Sequence, residues 1–434
     1  MTASVLEEVV GDEQRAQDAV LRVRALASAR QVTMLSQGTR ETPVQLLGGT
    51  TIRLRTVYTC AKARGDAVRA SRGKAGTGVF PVLDELGITH RSTPALRLRV
   101  SHAVCEANSF KDARELLGQG GLRLTHRVAL RLTYAVSELA LRVRARQVEQ
   151  LKKGNDEGIF VGRHIVACVD GGRCRVRKAL AGRPPKGGRR KFEVDWREPK
   201  VLTVYVLDDN GRRDKKAARV IDATMGDADD VYALLTYQLR RLGAHRAASL
   251  TLLGDGAKWI WNRASTLREA LSLPEDVPLT EIVDYYHAVE RLSDFAKSRS
   301  GWSAKRVKRW VSQQKNRLKR GWIDRVIESI EEFLTKRERK KGTAVGYWTR
   351  NRHRLAYSDF RQRGLPLGSG AVESAVRRVI NMRVKSPGTF WREDHVEGII
   401  HLRAHSKAGR WCDIESAILS NSMWKPRARR RITS

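Results

Sequence analysis

Several features that would define a class of protein are scarce in this chain of 434 residues. It has only five cysteines, widely separated and in no Cys-X-X-Cys pair, which excludes a disulfide framework and favours a reducing compartment. No apolar run reaches membrane-spanning length, and the acidic N-terminal stretch is unlike a secretory signal. We therefore expect a soluble intracellular protein that does not associate with membranes.

Acidic residues are outnumbered, with 47 Asp and Glu against 83 Lys and Arg, and the formal net charge is +36. The charge is spread over segments that also carry apolar side chains, and 41% of the residues are hydrophobic, enough for two or three folded domains. A basic surface of this size is typical of proteins that bind the phosphate backbone of nucleic acids. We therefore expect a nucleic-acid partner, and the motifs and resemblance described below make double-stranded DNA the expected one.

The chain has no Gly-X-X-X-X-Gly-Lys-Ser/Thr motif and no pattern that indicates a serine or cysteine nucleophile. It does place three acids at distinctive positions. Asp170 and Asp255 each end an apolar, strand-like run beside glycine, and Glu373 lies in the first turn of a helical stretch opened by Gly368-Ser-Gly370. Each acid alone is more typical of a turn or a helix start than of a metal site. Together they indicate a site that holds divalent cations against a phosphodiester, and hence an enzyme that cuts nucleic acid.

Further polar residues accompany these acids. Asp284 and His287 follow a short strand-like segment, a pattern as typical of a structural hydrogen-bonded pair as of active-site support. Basic residues follow Glu373 and are expected to hold DNA strands: Arg377, Arg378, Arg383 and Lys385.

Helical periodicity between residues 93 and 136 predicts three helices, the last two joined by a Gly-rich turn at 118–121. Ser109 and Thr125 are the expected N-caps. The pattern is that of a helix-turn-helix whose second helix offers His126, Arg127 and Arg131 to the major groove. An ordinary packed helical hairpin has the same pattern.

From residue 158, apolar strands, a helix and a further strand follow in the opening order of a ribonuclease H-like fold, with residues 173–180 expected to pair back on the first strand. In that fold the first strand and the strand after the helix bring their acids side by side. Residues 299–363 carry 20 Lys or Arg against 6 Asp or Glu, with tryptophans at the helical spacing of core residues.

We therefore predict a multidomain α/β protein with a ribonuclease H-like core. Six parts are expected in chain order. They are an N-terminal helical segment at 1–43, which begins with one helix to about residue 30, a β-hairpin and basic linker at 44–78, a helix-turn-helix domain at 79–157, the first part of the core at 158–298, a basic all-helical insertion at 299–363, and a core helix with Glu373 plus a basic tail at 364–434.

Five blocks of this chain resemble those of DDE-type bacterial insertion-sequence transposases, most closely the Kra-type family. The blocks are Val169-Asp-Gly-Gly172, Trp196-Arg-Glu-Pro-Lys200, Gly254-Asp-Gly-Ala-Lys-Trp-Ile-Trp261, Asp284-Tyr-Tyr-His287 and Gly368-Ser-Gly-Ala-Val-Glu-Ser-Ala375. The likeness extends over most of the chain from about residue 44 and includes the region of the helix-turn-helix.

The resemblance implies that Asp170, Asp255 and Glu373 bind two Mg²⁺ ions, for which Mn²⁺ substitutes. It implies a transposase that binds terminal inverted repeats, hydrolyses the 3′ ends and joins them to target DNA. Such an enzyme would act as a homodimer or higher oligomer in the bacterial cytoplasm, at the nucleoid. Related chains carry paired cysteines near the hairpin, whereas Cys60 has no near partner, so zinc is not expected.

Two other functions remain open at this point. One is a transposase-derived DNA-binding regulator that does not cut. The other is a structure-selective nuclease on the same fold.

Overall fold

A computed structural model describes residues 3–29, 31–61, 78–151, 158–180, 191–386 and 388–420. The fold is mixed α/β, as predicted. The chain divides into two compact units, Met1–Val143 with Trp411–Ser434, and Arg144–Arg410. No helix among the described residues is both long and apolar enough to span a membrane. The predicted linker after residue 61 and the predicted basic tail lie outside the described residues, as does the Gly/Pro-rich sequence 181–190.

The strands are β1 (Met34–Gln45), β2 (Thr51–Ala61), β3 (Gly78–Val79), β4 (His164–Gly171), β5 (Cys174–Ala179), β6 (Phe192–Arg197), β7 (Lys200–Val206), β8 (Val220–Thr224), β9 (Ser249–Gly254) and β10 (Leu279–Val283). The helices are α1 (Ala3–Gly11), α2 (Glu13–Ser28), α3 (Pro81–Glu85), α4 (Pro94–Glu106), α5 (Phe110–Gln119), α6 (His126–Gln150), α7 (Ala228–Arg241), α8 (Lys258–Ala264), α9 (Leu267–Leu271), α10 (Tyr285–Lys297), α11 (Ala304–Lys319), α12 (Ile323–Glu331), α13 (Lys336–Lys341), α14 (Thr343–Arg350), α15 (Tyr357–Gln362), α16 (Gly370–Val376), α17 (Glu393–Ala408) and α18 (Trp411–Ser420). Short 3₁₀ segments span Ala244–Arg246 and Arg352–Leu355, and a π-turn spans Arg377–Asn381.

The N-terminal residues correct the prediction of a single helix. The segment forms α1 and α2, and Asp12 between them caps α2 by accepting a hydrogen bond from the backbone N–H of Arg15 at 2.6 Å. The carboxylate of Asp12 thus satisfies a backbone N–H group at the start of α2. In one uninterrupted helix that N–H would already be bonded to a backbone carbonyl.

The predicted β-hairpin is present, because β1 and β2 pair antiparallel up to Gln45 and Thr51, with Gly48 and Gly49 in the turn. The helical assignment of 1–43 is wrong for residues 34–43, which belong to β1. Most side chains in the first two thirds of β1 are exposed, so no apolar alternation marks the strand. Its pairing with β2 holds it in place instead.

The helices between residues 93 and 150 begin at capping residues, two of which, Ser109 and Thr125, were predicted. The hydroxyl oxygens of Thr93, Ser109 and Thr125 accept hydrogen bonds from the backbone three residues later, at 3.4, 3.0 and 3.3 Å. The last of these helices, α6, is 25 residues long and continues well past the end of the predicted apolar face.

The larger unit is built on a five-stranded mixed sheet in the order β10-β9-β4-β7-β8. The central strand β4 pairs antiparallel with β7 and parallel with β9, and β10 continues the sheet parallel to β9. All seven residues of β7 are buried, as expected for a strand covered on both faces. The strand β8 lies at the far edge and was not predicted.

Residues 173–180 do not pair back on the first strand, which corrects that prediction. They form β5, which pairs with β6 in a separate two-stranded ribbon, while β7 occupies the antiparallel position beside β4. Strand β7 is wholly apolar in pattern apart from Lys200 and Thr203, so it is better suited to the buried position.

The described part of the predicted insertion is helical from Ala304 to Gln362, as expected. Trp310 and Trp348 are buried in it, as predicted for core residues. Trp322 departs from that prediction, since it is 42% exposed. The guanidinium carbons of Arg320 and Arg325 lie 5.0 and 4.9 Å from its ring centroid.

A buried charge network holds part of the larger unit together. Arg144 contacts the carboxylates of Asp222, at 3.0 Å, and Glu397, and Asp222 also lies 3.3 Å from Nδ1 of His401. Burial alone would raise the pKa of Asp222, but Arg144 and His401 hold it below its usual value. Burial, with Arg144 nearby, lowers the pKa of His401 to about 3, so this imidazole is neutral at neutral pH.

Candidate active site

The parallel strands bring three aspartates to one edge of the sheet. Cys168 of β4 lies opposite Leu253 of β9, and continuing this register by two residues sets Asp170 opposite Asp255. Val283 of β10 lies opposite Gly254, so Asp284 follows at the same edge, where its N–H donates to the carbonyl of Gly254 at 2.8 Å. Carboxyl ends of neighbouring parallel strands meet at one edge, which is the usual place for a site in such sheets.

Glu373 reaches this edge from a later helix. It lies in the first turn of α16, which packs against β4 and β7. Its Oε1 accepts a hydrogen bond from Ser369 Oγ at 3.2 Å and lies 3.8 Å from Nε2 of His287. The prediction that Glu373 begins a helix opened by the Gly-Ser-Gly block agrees with the structure.

The pKa of the Asp170 carboxyl group is affected by the other two carboxylates. Its pKa is raised to about 6, mainly by burial, and the negative charges of Asp255 and Glu373 act in the same direction. The hydrogen bond from the N–H of Gly171, at 2.7 Å, and the nearby His287 oppose the shift. The three predicted acids therefore form one interacting cluster.

Each acid of the cluster keeps one oxygen available. Asp170 Oδ1 accepts from Gly171, Asp255 Oδ1 accepts from the N–H of Ala257 at 2.9 Å, and Glu373 Oε1 accepts from Ser369. Among the described residues, no hydrogen bond engages the second oxygen of any of these carboxylates. Carboxylate oxygens without a hydrogen-bond donor are the kind of ligand that Mg²⁺ and Mn²⁺ prefer.

Asp284 has a different environment, although it belongs to the same neighbourhood. Ligand atoms of Asp284, His287 and Glu373 all lie within 4.8 Å of one another, which is compatible with a metal ion. However, Asp284 is completely buried, and its carboxylate already accepts from the N–H groups of Tyr286, His287 and Ser369. We therefore regard it as the residue that positions its neighbours rather than as a ligand.

Two further residues lie near the cluster, and neither was predicted as a site residue. A Cβ at Gly256, where φ is +82°, would lie 2.7 Å from the ring of Tyr347. Burial raises the pKa of Tyr347 to about 12. A Cβ at Gly171 would lie 2.2 Å from Oε1 of Glu198, so the missing side chain admits a further carboxylate beside Asp170. Only the glycines next to the two aspartates signalled these close approaches.

The basic residues after Glu373 separate into two groups. Arg377 and Lys385 are exposed and Arg378 is half-buried. Arg383 is only 3% exposed, and its guanidinium carbon lies 5.3 Å from the ring centroid of Trp391. Its predicted role in holding DNA is therefore corrected to packing, because the charge that would contact a phosphate is inside the protein.

In the smaller unit, the structure places the three predicted groove-contacting side chains at the start of α6. His126, Arg127 and Arg131 are all exposed there. The ring of His126 also packs edge-on against Phe110 of α5, with 5.6 Å between centroids.

Comparisons with models of protein families, with curated proteins and with solved structures gave no match to this chain.

Proposed function

We propose that this protein is a DNA transposase that uses Asp170, Asp255 and Glu373 to hold two Mg²⁺ ions. The observation that carries the proposal is that these acids are neighbours. The register of β4 and β9 sets Asp170 opposite Asp255, and the negative charges of Asp255 and Glu373 both raise the pKa of Asp170. Bound there, the metal pair would activate the attacking oxygen and stabilise the leaving oxygen of a phosphodiester. Water and then the 3′-hydroxyl of the cleaved strand are the proposed nucleophiles.

The sheet supports a ribonuclease H-like core for this enzyme. Its first strand, β4, is central, and β9, which follows helix α7, lies directly beside it. That is the adjacency expected to bring the first two acids together. The helical region that separates Asp255 from Glu373 agrees with the proposed insertion.

The proposed DNA contacts follow from charge and exposure. Arg377 and Lys385 lie shortly after Glu373 and are exposed, so they can neutralise phosphates. We propose that α5 and α6 form the helix-turn-helix that recognises the terminal inverted repeats. Arg127 and Arg131 are exposed on α6 and would contact bases in the major groove. Two ends must be held together for strand transfer, so we propose a homodimer or larger oligomer on DNA.

Cleavage of the cognate ends tests the proposal directly. The DNA flanking the gene is searched for short inverted repeats, and a labelled duplex that carries one repeat is incubated with protein and Mg²⁺ or Mn²⁺. We expect cleavage at the 3′ end of the repeat, its loss in Asp255→Asn and Glu373→Gln, and retained binding by both variants.

A matched substitution controls for loss of negative charge. Asp276→Asn changes an exposed aspartate, which no described contact engages, and is expected to cleave normally. Cleavage by Asp255→Asn and Glu373→Gln at the wild-type rate would disprove the assignment of the site. Specific binding to the repeats without cleavage by the wild-type protein would instead identify a regulator that does not cut.

A further inference from the structure

A two-stranded ribbon extends from the chain directly after Asp170. Strand β5 begins at Cys174 and pairs antiparallel with β6, with Arg175 opposite Trp196 and Arg177 opposite Val194. Because side chains alternate between the two faces of a ribbon, one face carries Arg175, Arg177, Phe192, Val194 and Trp196. We name these five side chains the ribbon face.

The ribbon face exposes large apolar side chains that would ordinarily be covered. Phe192 is 39% exposed, Val194 46% and Trp196 55%. On the opposite face Cys174 and Val176 are buried, so the ribbon already has a packed side. Contiguous exposed apolar side chains of this kind mark a binding surface.

The two arginines lie against the aromatic rings of this surface. The guanidinium carbon of Arg175 is 5.7 Å from the centroid of Trp196 and 4.8 Å from that of Phe390, and its Nη2 donates to the carbonyl of Ser386 at 2.9 Å. The guanidinium carbon of Arg177 lies 5.5 Å from the ring centroid of Phe192. Aromatic rings and planar cations are thus held together on one surface.

The charge of the surface has one sign. The acids of β6, Glu193 and Asp195, alternate with the ribbon-face residues and therefore belong to the opposite face. A second copy of the chain that docked symmetrically on this face would oppose arginine to arginine, which disfavours a protein–protein contact there. A nucleic-acid strand supplies the complementary charge.

We propose that the ribbon face binds an unpaired DNA strand, whose bases stack on Trp196 and Phe192 while Arg175 and Arg177 contact its phosphates. Aromatic platforms interleaved with cations are the usual means of binding single strands without sequence preference. Trp196 is two residues from Glu198, a distance of about 7 Å along a strand, and Glu198 abuts Gly171 beside Asp170. An unpaired strand on the ribbon face would lie next to the carboxylates, so its use in transposition rests on the proposed function.

Binding without metal separates this inference from the catalytic proposal. The full-length protein is titrated in EDTA with fluorescent oligothymidylate and, separately, with a blunt duplex of the same length. We expect Trp196→Ala to weaken oligothymidylate binding on the order of tenfold while duplex binding stays within about twofold. Trp196→Phe, which keeps a stacking ring, should retain most of the affinity.

Trp322→Ala is the matched control, since it removes another exposed tryptophan that contacts two arginines. It should bind oligothymidylate like the wild type. Photocrosslinking of oligonucleotides that contain 5-iododeoxyuridine should label a peptide of β6, and Trp196→Ala should lose the label.

Unchanged oligothymidylate binding by Trp196→Ala would overturn the inference, as would an equal loss in Trp322→Ala. If Trp196→Ala changed the oligomeric state measured by light scattering but not the binding of DNA, the inference would also be overturned. The ribbon face would then be assigned to contact with a second copy of the chain. If Trp196→Ala loses oligothymidylate binding but the wild-type protein never cleaves DNA, the ribbon-face inference stands and the proposed transposase function fails.

Discussion

The carboxylate of Asp284 accepts a hydrogen bond from the backbone N–H of Ser369, 85 residues later in the chain. The same carboxylate accepts from the N–H groups of Tyr286 and His287, at 2.6 and 3.2 Å. One buried side chain therefore fixes both the start of the helix that carries His287 and the turn that leads to Glu373. Its effect on the site is exerted through these neighbours.

Asp284→Asn should destabilise the protein and misplace Glu373. The amide would present N–H groups to a site lined by backbone donors, and an unsatisfied buried polar group costs about 1–3 kcal/mol. We expect a lower free energy of unfolding by urea titration, together with weaker Mn²⁺ binding by calorimetry. Asp294→Asn, on the exposed side of the same helix, should leave both unchanged. Wild-type stability in Asp284→Asn would show that the three hydrogen bonds do not support the fold.

Asp170→Asn should stabilise the metal-free protein while removing cleavage. The folded-state pKa of about 6 exceeds the value of about 3.9 in an unfolded chain, so the ionised carboxylate is disfavoured by folding. In EDTA at pH 7.5 the variant should gain about 1–3 kcal/mol in unfolding free energy.

The pH dependence of that gain follows from the same two pKa values. Between about pH 6 and pH 4 the folded wild-type protein binds a proton that the unfolded chain does not, so its unfolding free energy rises as the pH falls. The advantage of Asp170→Asn should be complete above about pH 6 and absent below about pH 4. Urea titrations across this pH range measure the difference in unfolding free energy between the variant and the wild type. A difference that did not change with pH would contradict the raised pKa of Asp170.

Arg144→Met should strongly destabilise the larger unit. Asp222 is wholly buried, and removing the guanidinium leaves its charge without its main partner, a loss of about 3–5 kcal/mol. Arg142→Met provides a comparison, since Arg142 and its partner Glu138 are both 62% exposed and such pairs contribute at most about 1 kcal/mol. Equal denaturation midpoints for the two variants would mean that the network is not a stability determinant.

Arg127→Ala should weaken recognition of the terminal repeats more than non-specific binding. A direct base contact in the major groove is worth about 1–3 kcal/mol, whereas a phosphate contact is lost equally from every sequence. The ratio of affinities for repeat and random duplex, measured at one salt concentration, should fall. An unchanged ratio would remove Arg127 from the recognition surface.

The carboxylate cluster could be predicted where local patterns and sheet geometry coincide. Asp170 and Asp255 end apolar runs beside glycine, and parallel strands align such ends, so their proximity follows from the order of elements. Glu373 was predictable from the Gly-Ser-Gly block that opens its helix. These features depend on residues that are close together in the sequence.

The remainder depends on contacts that no local pattern encodes. Arg383 follows Glu373 as a basic residue and was therefore predicted to contact DNA, but it is buried, with its guanidinium carbon 5.3 Å from the ring centroid of Trp391. Residues 173–180 have the pattern of a strand, but the choice of β6 over β4 as partner depends on how well β7 fits the buried position. The role of Asp284 depends on its hydrogen bond with Ser369, and no sequence pattern links two residues that are 85 positions apart.

The wide separation of the three proposed catalytic acids along the chain has a consequence for timing during synthesis. Glu373 follows Asp170 by 203 residues (373 − 170), which takes a ribosome about 10–40 s at about 5–20 residues per second. The sheet strand that carries Asp170 and the helices before it are made first. Throughout that interval a nascent chain that had reached DNA would lack the third carboxylate and could bind without cutting.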